Sequence, residues 1–260
     1  MIVDAFIFYN ELDMLNYRLN ALSDHVDYFV LVESTYTFNG LPKPLIFQEN
    51  KAMFEPFLDR IIHVVVDDFP HKTKVSDGRQ WENEQFQRNV GVARGLAQIP
   101  GLTDEDFVAH SDLDEIVNPH VLKAARDGII THEHNTLEMD IYYYNLTTLL
   151  LIPWSAPCLL KARVAKIGSH RNQTGNVIPN AGWHLSYFGD SNFIKNKIEH
   201  FSHQEYNKEQ YTDLQRIQHA IENGVDLFGR ESVPIRRIQI RDNERLPPRL
   251  DLLANFCAEF

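Results

Sequence analysis

The sequence predicts a single α/β domain in which helices cover a mainly parallel sheet and antiparallel strands are added in the second half. In roughly the first 115 residues, short apolar runs alternate with segments of helical period, as in parallel sheets built from βαβ units. From residue 136 onward, apolar and aromatic runs are separated by short breaks, which favours antiparallel neighbours. The chain has no internal repeat and no linker, so residues 1–115 and 116–260 are predicted to be two halves of one domain.

The first half is predicted to consist of buried strands with helices between them. The strands are the apolar runs at 2–8, 26–32, 61–66 and 107–111. Helical spacing of apolar side chains predicts a helix at 10–23, a short one near 51–58 and a long one at 81–98. Residues 2–32 therefore form a βαβ unit, whose crossover is expected to be right-handed.

The second half is predicted to extend the sheet and then to end in helices and a short strand. The strand candidates lie at 136–144, 147–152, 157–164, 182–188 and 237–240. The helix candidates lie at 192–200 and 208–223.

The composition excludes several classes of function. The chain of 260 residues carries a net charge of −11, which argues against a nucleic-acid-binding surface. The N-terminal apolar run reaches Asp4 too soon for a signal peptide, and no apolar window approaches a membrane span. Neither a nucleic-acid partner nor a membrane span is expected, and the sequence carries no information on oligomeric state.

An acidic cluster follows the fourth predicted strand. Asp112, Asp114 and Glu115 come directly after the apolar run, and open α/β sheets place ligand sites at such strand ends. A turn after the strand can point both aspartates of the Asp-x-Asp pair toward one divalent cation. Carboxylates this close repel one another, so a cation or a proton is expected among them. The alternative is a solvated turn that caps the next helix.

Ordered blocks of residues along the chain give a more specific indication. They are Asn10-Glu11-Leu12-Asp13 with Arg18, Val32-Glu33-Ser34-Thr35 leading to Lys43-Pro44-Leu45, Arg88, Ser111-Asp112-Leu113-Asp114-Glu115, Ala181-Gly182-Trp183-His184-Leu185-Ser186, and Lys197. In this order they resemble glycosyltransferase family 17, which includes the enzymes that add bisecting N-acetylglucosamine to N-glycans. The resemblance implies a GT-A-type fold. It also implies inverting transfer of a sugar from a UDP-sugar, expected to be UDP-N-acetylglucosamine, to a glycan acceptor.

The resemblance also implies a divalent metal, Mn²⁺ or Mg²⁺, that neutralises the charge developing on the leaving diphosphate. Asp114 is the first choice of ligand, and Asp112 either ligates the metal or binds the ribose or sugar of the donor. His184 can supply a nitrogen ligand suited to Mn²⁺, and His203 competes with it for this role. The alternative for His184 is a hydrogen-bonded core histidine.

Four further residues are candidates for binding the donor. Glu33, at the end of the second predicted strand, is expected to contact the uracil or ribose. Arg88 and Lys197 are expected to contact the diphosphate, and Glu11 borders the donor pocket. Structural roles remain open for each of them. Glu33 can hold the following turn, Arg88 and Lys197 can pair with the acidic cluster, and Glu11 can cap a helix.

Inverting transfer needs a general base that deprotonates the acceptor hydroxyl. Glu115 and Asp190 are the candidates, and Glu205 remains open. Asp190 lies at a distance past the Asp-x-Asp pair where other inverting GT-A enzymes often carry the base.

Two other functions compete with glycosyl transfer. A metal-dependent nucleotidyltransferase is disfavoured, because Phe8-Tyr9-Asn10-Glu11 stands where a glycine-rich phosphate loop is expected. A non-catalytic glycan-binding module would stack sugars on the aromatic residues Tyr142-Tyr143-Tyr144 and Trp154, for which core and sheet packing is the alternative, and it leaves the acidic cluster unexplained. Since the sequence starts at the first predicted strand, we expect either a cytoplasmic microbial or viral member of the family or the soluble catalytic part of a Golgi-type enzyme.

Overall fold

A computed structural model describes residues 1–75, 77–168 and 175–256 of the chain. The strands are β1 (Ile2–Phe8), β2 (Tyr28–Ser34), β3 (Ile61–Val66), β4 (Phe107–Asp112), β5 (Glu115–Val117), β6 (His134–Tyr143), β7 (Thr148–Trp154), β8 (Cys158–Lys161), β9 (Asn176–Ser186) and β10 (Ile235–Arg237). The helices are α1 (Leu12–Leu22), α2 (Ile46–Glu49), α3 (Arg79–Phe86), α4 (Val92–Leu96), α5 (Pro119–Arg126), α6 (Ala162–Ala165), α7 (Ser191–His200), α8 (Glu209–Thr212) and α9 (Leu214–Asn223).

The first-half strands form a parallel sheet in the order β3-β2-β1-β4. Strands β8, β6, β7 and β10 then follow β4, and each pairs antiparallel with its neighbour. The predicted α/β architecture, a parallel sheet flanked by helices with antiparallel additions, is confirmed. One pairing was not predicted, since β9 runs parallel to β6 while it pairs antiparallel with β5.

Apolar layers cover both faces of the parallel sheet. Along β1, Phe6 and Phe8 belong to one buried cluster, whereas Val3 and Ala5 belong to another on the opposite face. This alternation is what a strand with two buried faces produces. A third apolar cluster packs α7 and α9 against aromatic residues from the ends of β6 and β9.

The long helix predicted at 81–98 is interrupted by a π turn at Gln87–Gly91, which separates α3 from α4. Beyond this turn the chain lies very close to the sheet. A Cβ atom on Gly91 would lie 2.3 Å from the Val32 side chain, and one on Gly95 would lie 2.3 Å from the Val30 side chain. The two glycines therefore permit an approach to β2 that no other residue type allows.

Other boundaries also differ from the prediction. The helix predicted at 208–223 is divided into α8 and α9 at Asp213, whose side chain caps α9. The segment predicted near 51–58 is a 3₁₀ helix over Lys51–Phe57. The last strand lies at Ile235–Arg237 rather than 237–240, because it pairs with β7.

No helix among the described residues has the length and apolar character needed to cross a bilayer.

Candidate active site

A cavity of about 570 Å³ opens at the carboxyl ends of β1 and β4. This volume lies within the usual range for small-molecule sites, and the strand ends are where open α/β sheets bind ligands. The lining includes most of the candidates that the sequence singled out, namely Glu11, Arg88, Asp112, Asp114, His184, Lys197 and His203. As far as the chain is described, the lining leaves out Glu33, Glu115 and Asp190.

A buried ion pair between Arg18 and Asp4 holds the Asp-x-Asp turn in place. Arg18 and Asp4 are both fully buried and are joined by two hydrogen bonds of 2.6 and 2.7 Å. Arg18 Nη1 also donates to the backbone carbonyl oxygens of Asp112, Leu113 and Glu115, at 2.6, 3.0 and 3.0 Å. The Arg18 guanidinium therefore binds the carbonyl groups on the buried side of the turn. The two aspartate side chains of the turn line the cavity.

Asp112 is paired with Arg88, which lies in the π turn. Arg88 Nη2 donates both to Asp112 Oδ1 and to Glu84 Oε1, each at 2.8 Å. Two carboxylates thus share one nitrogen atom of Arg88, and all three side chains line the cavity. Glu84 was not predicted as a site residue. The only sequence indication was its position four residues before Arg88, where opposite charges on a helix meet.

Asp114 faces two cationic or potentially cationic groups. Lys197 Nζ lies 2.8 Å from Asp114 Oδ2 and 3.9 Å from Glu11 Oε1, and His184 Nε2 lies 3.6 Å from Asp114 Oδ1. Burial acts to raise the pKa of Asp114, but the charges of Lys197 and His184 outweigh it and hold that pKa well below its usual range. Burial likewise acts to lower the pKa of Lys197, but Asp114 and Glu11 raise it above its ordinary value. Asp114 and Lys197 are therefore both charged at neutral pH.

Across the part of the chain that is described, no three His, Cys, Asp or Glu side chains gather into a group that could hold a metal ion. The Asp114–His184 separation of 3.6 Å exceeds a hydrogen bond, and His184 Nδ1 is buried without a described partner. His203 pairs instead with Glu205 at 2.7 Å, and its ring contacts Trp81. Of the four predicted ligands, Asp114 and His184 thus lie near each other, whereas His203 is engaged elsewhere.

Glu115 is fully buried and contacts residues next to the cavity without lining it. Its carboxylate accepts hydrogen bonds from the backbone N–H of Asp112 and from the indole N–H of Trp154. The Trp154 ring in turn packs on the His184 ring, with the ring centroids 4.8 Å apart. The interpretation of Glu115 as the general base finds no support in this geometry, because the buried carboxylate is engaged on both oxygens. Its contacts instead position the turn and His184.

Asp190 and Glu33 also have structural contacts. Asp190 is exposed and caps α7, where its carboxylate accepts a hydrogen bond from the backbone N–H of Phe193 at 2.8 Å. Glu33 is fully buried and accepts a hydrogen bond from the backbone N–H of Phe47, while His63 and Lys43 lie within 3.6 Å of it. Of these residues, Lys43 reaches the cavity lining. Glu33 therefore does not line the cavity itself but pairs with Lys43, which does.

The model of the family described as Glycosyltransferase family 17 matches residues 1–234. Beta-1,4-mannosyl-glycoprotein 4-beta-N-acetylglucosaminyltransferase from Rattus norvegicus is 32% identical over 133 residues, which make up 50% of this chain and 22% of the relative. The Homo sapiens protein of the same name is also 32% identical over 133 residues, 50% of this chain and 23% of the relative. The match therefore spans less than a quarter of the length of these relatives.

Two solved structures are more distantly similar. The crystal structure of S. aureus TarS 1-349 aligns with a TM-score of 0.40 and 13% identity, covering 86% of this chain and 71% of that one. The Francisella tularensis 2-C-methyl-D-erythritol 4-phosphate cytidylyltransferase (IspD) aligns with a TM-score of 0.33 and 11% identity, covering 64% of this chain and 76% of that one.

Proposed function

Because the chain belongs to glycosyltransferase family 17, we propose that it transfers N-acetylglucosamine from a UDP-sugar to a glycan acceptor, with inversion at the anomeric carbon. The observation that carries the proposal is the Asp-x-Asp turn, whose two carboxylates enter a cavity at the sheet edge together with two cationic side chains. The names of the curated relatives support the identity of the sugar.

The cations suit a leaving nucleoside diphosphate. Arg88 and Lys197 are both held beside the turn by carboxylates at 2.8 Å. When a donor binds, its phosphate oxygens offer these groups further acceptors, and Arg in particular can contact phosphate through two N–H groups. Charge accumulating on the diphosphate as the glycosidic bond breaks is then stabilised by groups that are already in place.

Asp114 and His184 are the residues that would hold a divalent metal, Mn²⁺ or Mg²⁺. Such an ion supplies further neutralisation of the diphosphate when it is bound. Asp112 is assigned to positioning Arg88, because its carboxylate accepts two hydrogen bonds from that guanidinium. His203 is assigned to the cavity wall, since it pairs with Glu205 and contacts Trp81.

Inversion requires a base, and Glu84 is our assignment. Four acids line the cavity, of which Asp114 pairs with Lys197 while Asp112 and Glu84 share Arg88. Glu11 accepts a hydrogen bond from the neighbouring backbone N–H of Asn10. Glu84 binds Arg88 through Oε1, whereas its buried Oε2 has no hydrogen-bond partner among the described residues. We propose that this oxygen takes the proton of the sugar hydroxyl once the carboxylate turns toward the cavity that Glu84 lines.

Replacing Glu84 with Gln tests this assignment. Loss of a general base is expected to reduce transfer by about 10²–10⁴-fold, while UDP affinity is retained. Azide carries no proton to remove, so it should still attack the anomeric carbon, displace UDP and give the glycosyl azide. Glu82→Gln, an exposed change on the same helix, is the control. Full transfer activity in Glu84→Gln, or its failure to use azide, would reject the assignment.

Isothermal titration calorimetry with UDP, and with GDP as control, tests the function itself. Micromolar UDP binding in Mn²⁺ that is lost in EDTA is expected, followed by hydrolysis and transfer of UDP-N-acetylglucosamine. Equal UDP binding in EDTA would retain the uridine site and overturn the metal. Preference for GDP would overturn the donor. Absence of nucleotide binding would overturn the transferase and favour a glycan-binding module.

A further inference from the structure

One side of the cavity is built by the second half of the chain and consists mainly of aromatic rings. We call Tyr143, Tyr187, Tyr206, Phe228 and Arg230 the aromatic wall, since all of them line the cavity. The wall reaches the Asp-x-Asp turn through a short series of contacts. Lys197, bound to Asp114, lies 5.7 Å from the centroid of the Tyr187 ring, and the Tyr187 and Tyr143 centroids are 5.5 Å apart.

Arg230 is held in this wall by hydrogen bonds, but one of its guanidinium nitrogens makes none within the described residues. Its Nε and Nη2 bind the two carboxylate oxygens of Asp226, and Nη2 also donates to the Tyr143 hydroxyl at 3.1 Å. No hydrogen bond of Arg230 Nη1 occurs within the described residues, and a third of the side chain is exposed. Asp226 compensates the charge of Arg230, so the wall presents N–H donors without an unpaired positive charge.

Tyr206 provides the exposed part of the aromatic surface. Its ring packs on Phe228 with centroids 4.1 Å apart, and Arg230 lies 5.1 Å from the Phe228 centroid. Phe228 is buried, whereas Tyr206 is only partly so. Tyr211 contacts the same Phe228 ring at 5.4 Å but is not among the residues that line the cavity. Tyr206 therefore lines the cavity with part of its surface exposed, and its ring packs on both Phe228 and Tyr211.

We propose that the aromatic wall is the acceptor subsite, in which a pyranose ring stacks on Tyr206 and its hydroxyl groups accept hydrogen bonds from Arg230. This inference rests on the proposed function. A pyranose offers an apolar C–H face to an aromatic ring and hydroxyl oxygens to a fixed N–H donor, so its chemistry matches both components. The nucleotide is expected at the ends of β1, β2 and β4, which leaves this wall, built from later segments, for the acceptor.

The neutral character of the wall selects a neutral sugar. A free cation in this position would favour a phosphorylated or carboxylated acceptor. Because Asp226 holds Arg230 through both carboxylate oxygens, an anionic group would have to compete with that carboxylate. We therefore expect methyl glycosides of neutral sugars to bind better than their phosphorylated counterparts.

Saturation-transfer NMR with UDP present tests the subsite. The probes are the methyl β-glycosides of N-acetylglucosamine, mannose, galactose and glucose, with methyl β-glucoside 6-phosphate as the anionic counterpart of the last. The wild-type protein is expected to saturate the ring protons of at least one neutral glycoside. Tyr206→Ala should lower the affinity for that glycoside at least tenfold and leave the affinity for UDP, measured by calorimetry, unchanged. Tyr28→Ala removes a partly buried tyrosine at the start of β2, outside the cavity lining, and should leave both affinities unchanged.

The outcomes separate the subsite from the transferase. Wild-type affinity for the glycoside in Tyr206→Ala would overturn the subsite, as would binding of none of the neutral glycosides or a preference for the phosphorylated one. If the wild-type protein does not bind UDP, the proposed function is overturned instead. If Tyr206→Ala fails to fold, Tyr206→Leu keeps the apolar contact with Phe228 while removing the ring, and the same loss of glycoside binding is expected.

Discussion

The Asp-x-Asp turn and the aromatic wall border the same cavity but are held in place by different forces. The turn is fixed through its backbone, because Arg18 binds three of its carbonyl groups and is itself paired with Asp4. The aromatic wall is held by ring contacts and by a partly exposed ion pair between Arg230 and Asp226. The comparison indicates that the turn depends on a buried ion pair between β1 and α1, whereas the aromatic wall depends on ring packing among later segments.

Replacing Arg18 with Met is expected to have the largest effect on stability, and it tests the turn's side of the comparison. The change leaves the charge of Asp4 buried without its partner and should cost about 3–5 kcal/mol of unfolding free energy. Urea denaturation measures this loss. Arg126→Met removes a largely exposed pair with Asp27 and should cost less than about 1 kcal/mol. Equal losses in the two variants would refute the idea that the turn depends on a buried ion pair.

Replacing Asp114 with Asn is expected to affect turnover more than folding. The change removes one charge from the centre of the site without altering side-chain volume, and we expect kcat to fall by about 10²–10³-fold. Steady-state transfer assays and a thermal melt measure the two effects. Asp127→Asn, an exposed change in another ion pair, is the control. Turnover at the wild-type level would exclude Asp114 from charge stabilisation and from metal binding.

Replacing Asp190 with Ala is expected to have the smallest effect and to concern stability alone. Loss of the helix cap should cost about 1 kcal/mol, whereas transfer should continue at the wild-type rate. Asp213→Ala, which removes the corresponding cap of α9, should give a similar loss in the same urea experiment. A large fall in kcat for Asp190→Ala alone would restore Asp190 as the general base.

The grouping of charged residues around the Asp-x-Asp turn could be predicted in part because its indications are local. Asp112 and Asp114 follow a buried strand, and the fold brings Arg88 and Lys197 to them. The direction of the Glu115 side chain was not predictable. It depends on the short strand β5, in which Glu115 pairs opposite His184 of β9. Tyr143 and Trp154 were named only as sugar-stacking residues of a binding module, and Tyr206, Phe228 and Arg230 were not named, since the contacts of the wall join segments distant in the sequence.

The antiparallel additions were predicted in kind but not in arrangement. Apolar runs with short breaks indicate strands, yet they do not specify which strands pair. The parallel pairing of β6 with β9 joins residues 135–143 to residues 176–186, and no local pattern encodes such a separation. The division of the long predicted helix was missed for a different reason, because a π turn leaves the segment helical and shifts only the phase of its buried face.

The π turn at Gln87–Gly91 makes one continuous helical segment serve two partners that lie in different directions. On its N-terminal side, Glu84 and Arg88 face the cavity, and on its C-terminal side Gly91 and Gly95 face β2. A π turn accommodates one residue more than an α-helical turn, and one residue corresponds to a rotation of about 100° around the helix axis. Shortening this segment by a single residue would therefore put its two ends out of phase. Either the glycines would leave the sheet or Arg88 would turn away from Asp112. Deletion of one residue from this segment should therefore impair function more often than a substitution in it.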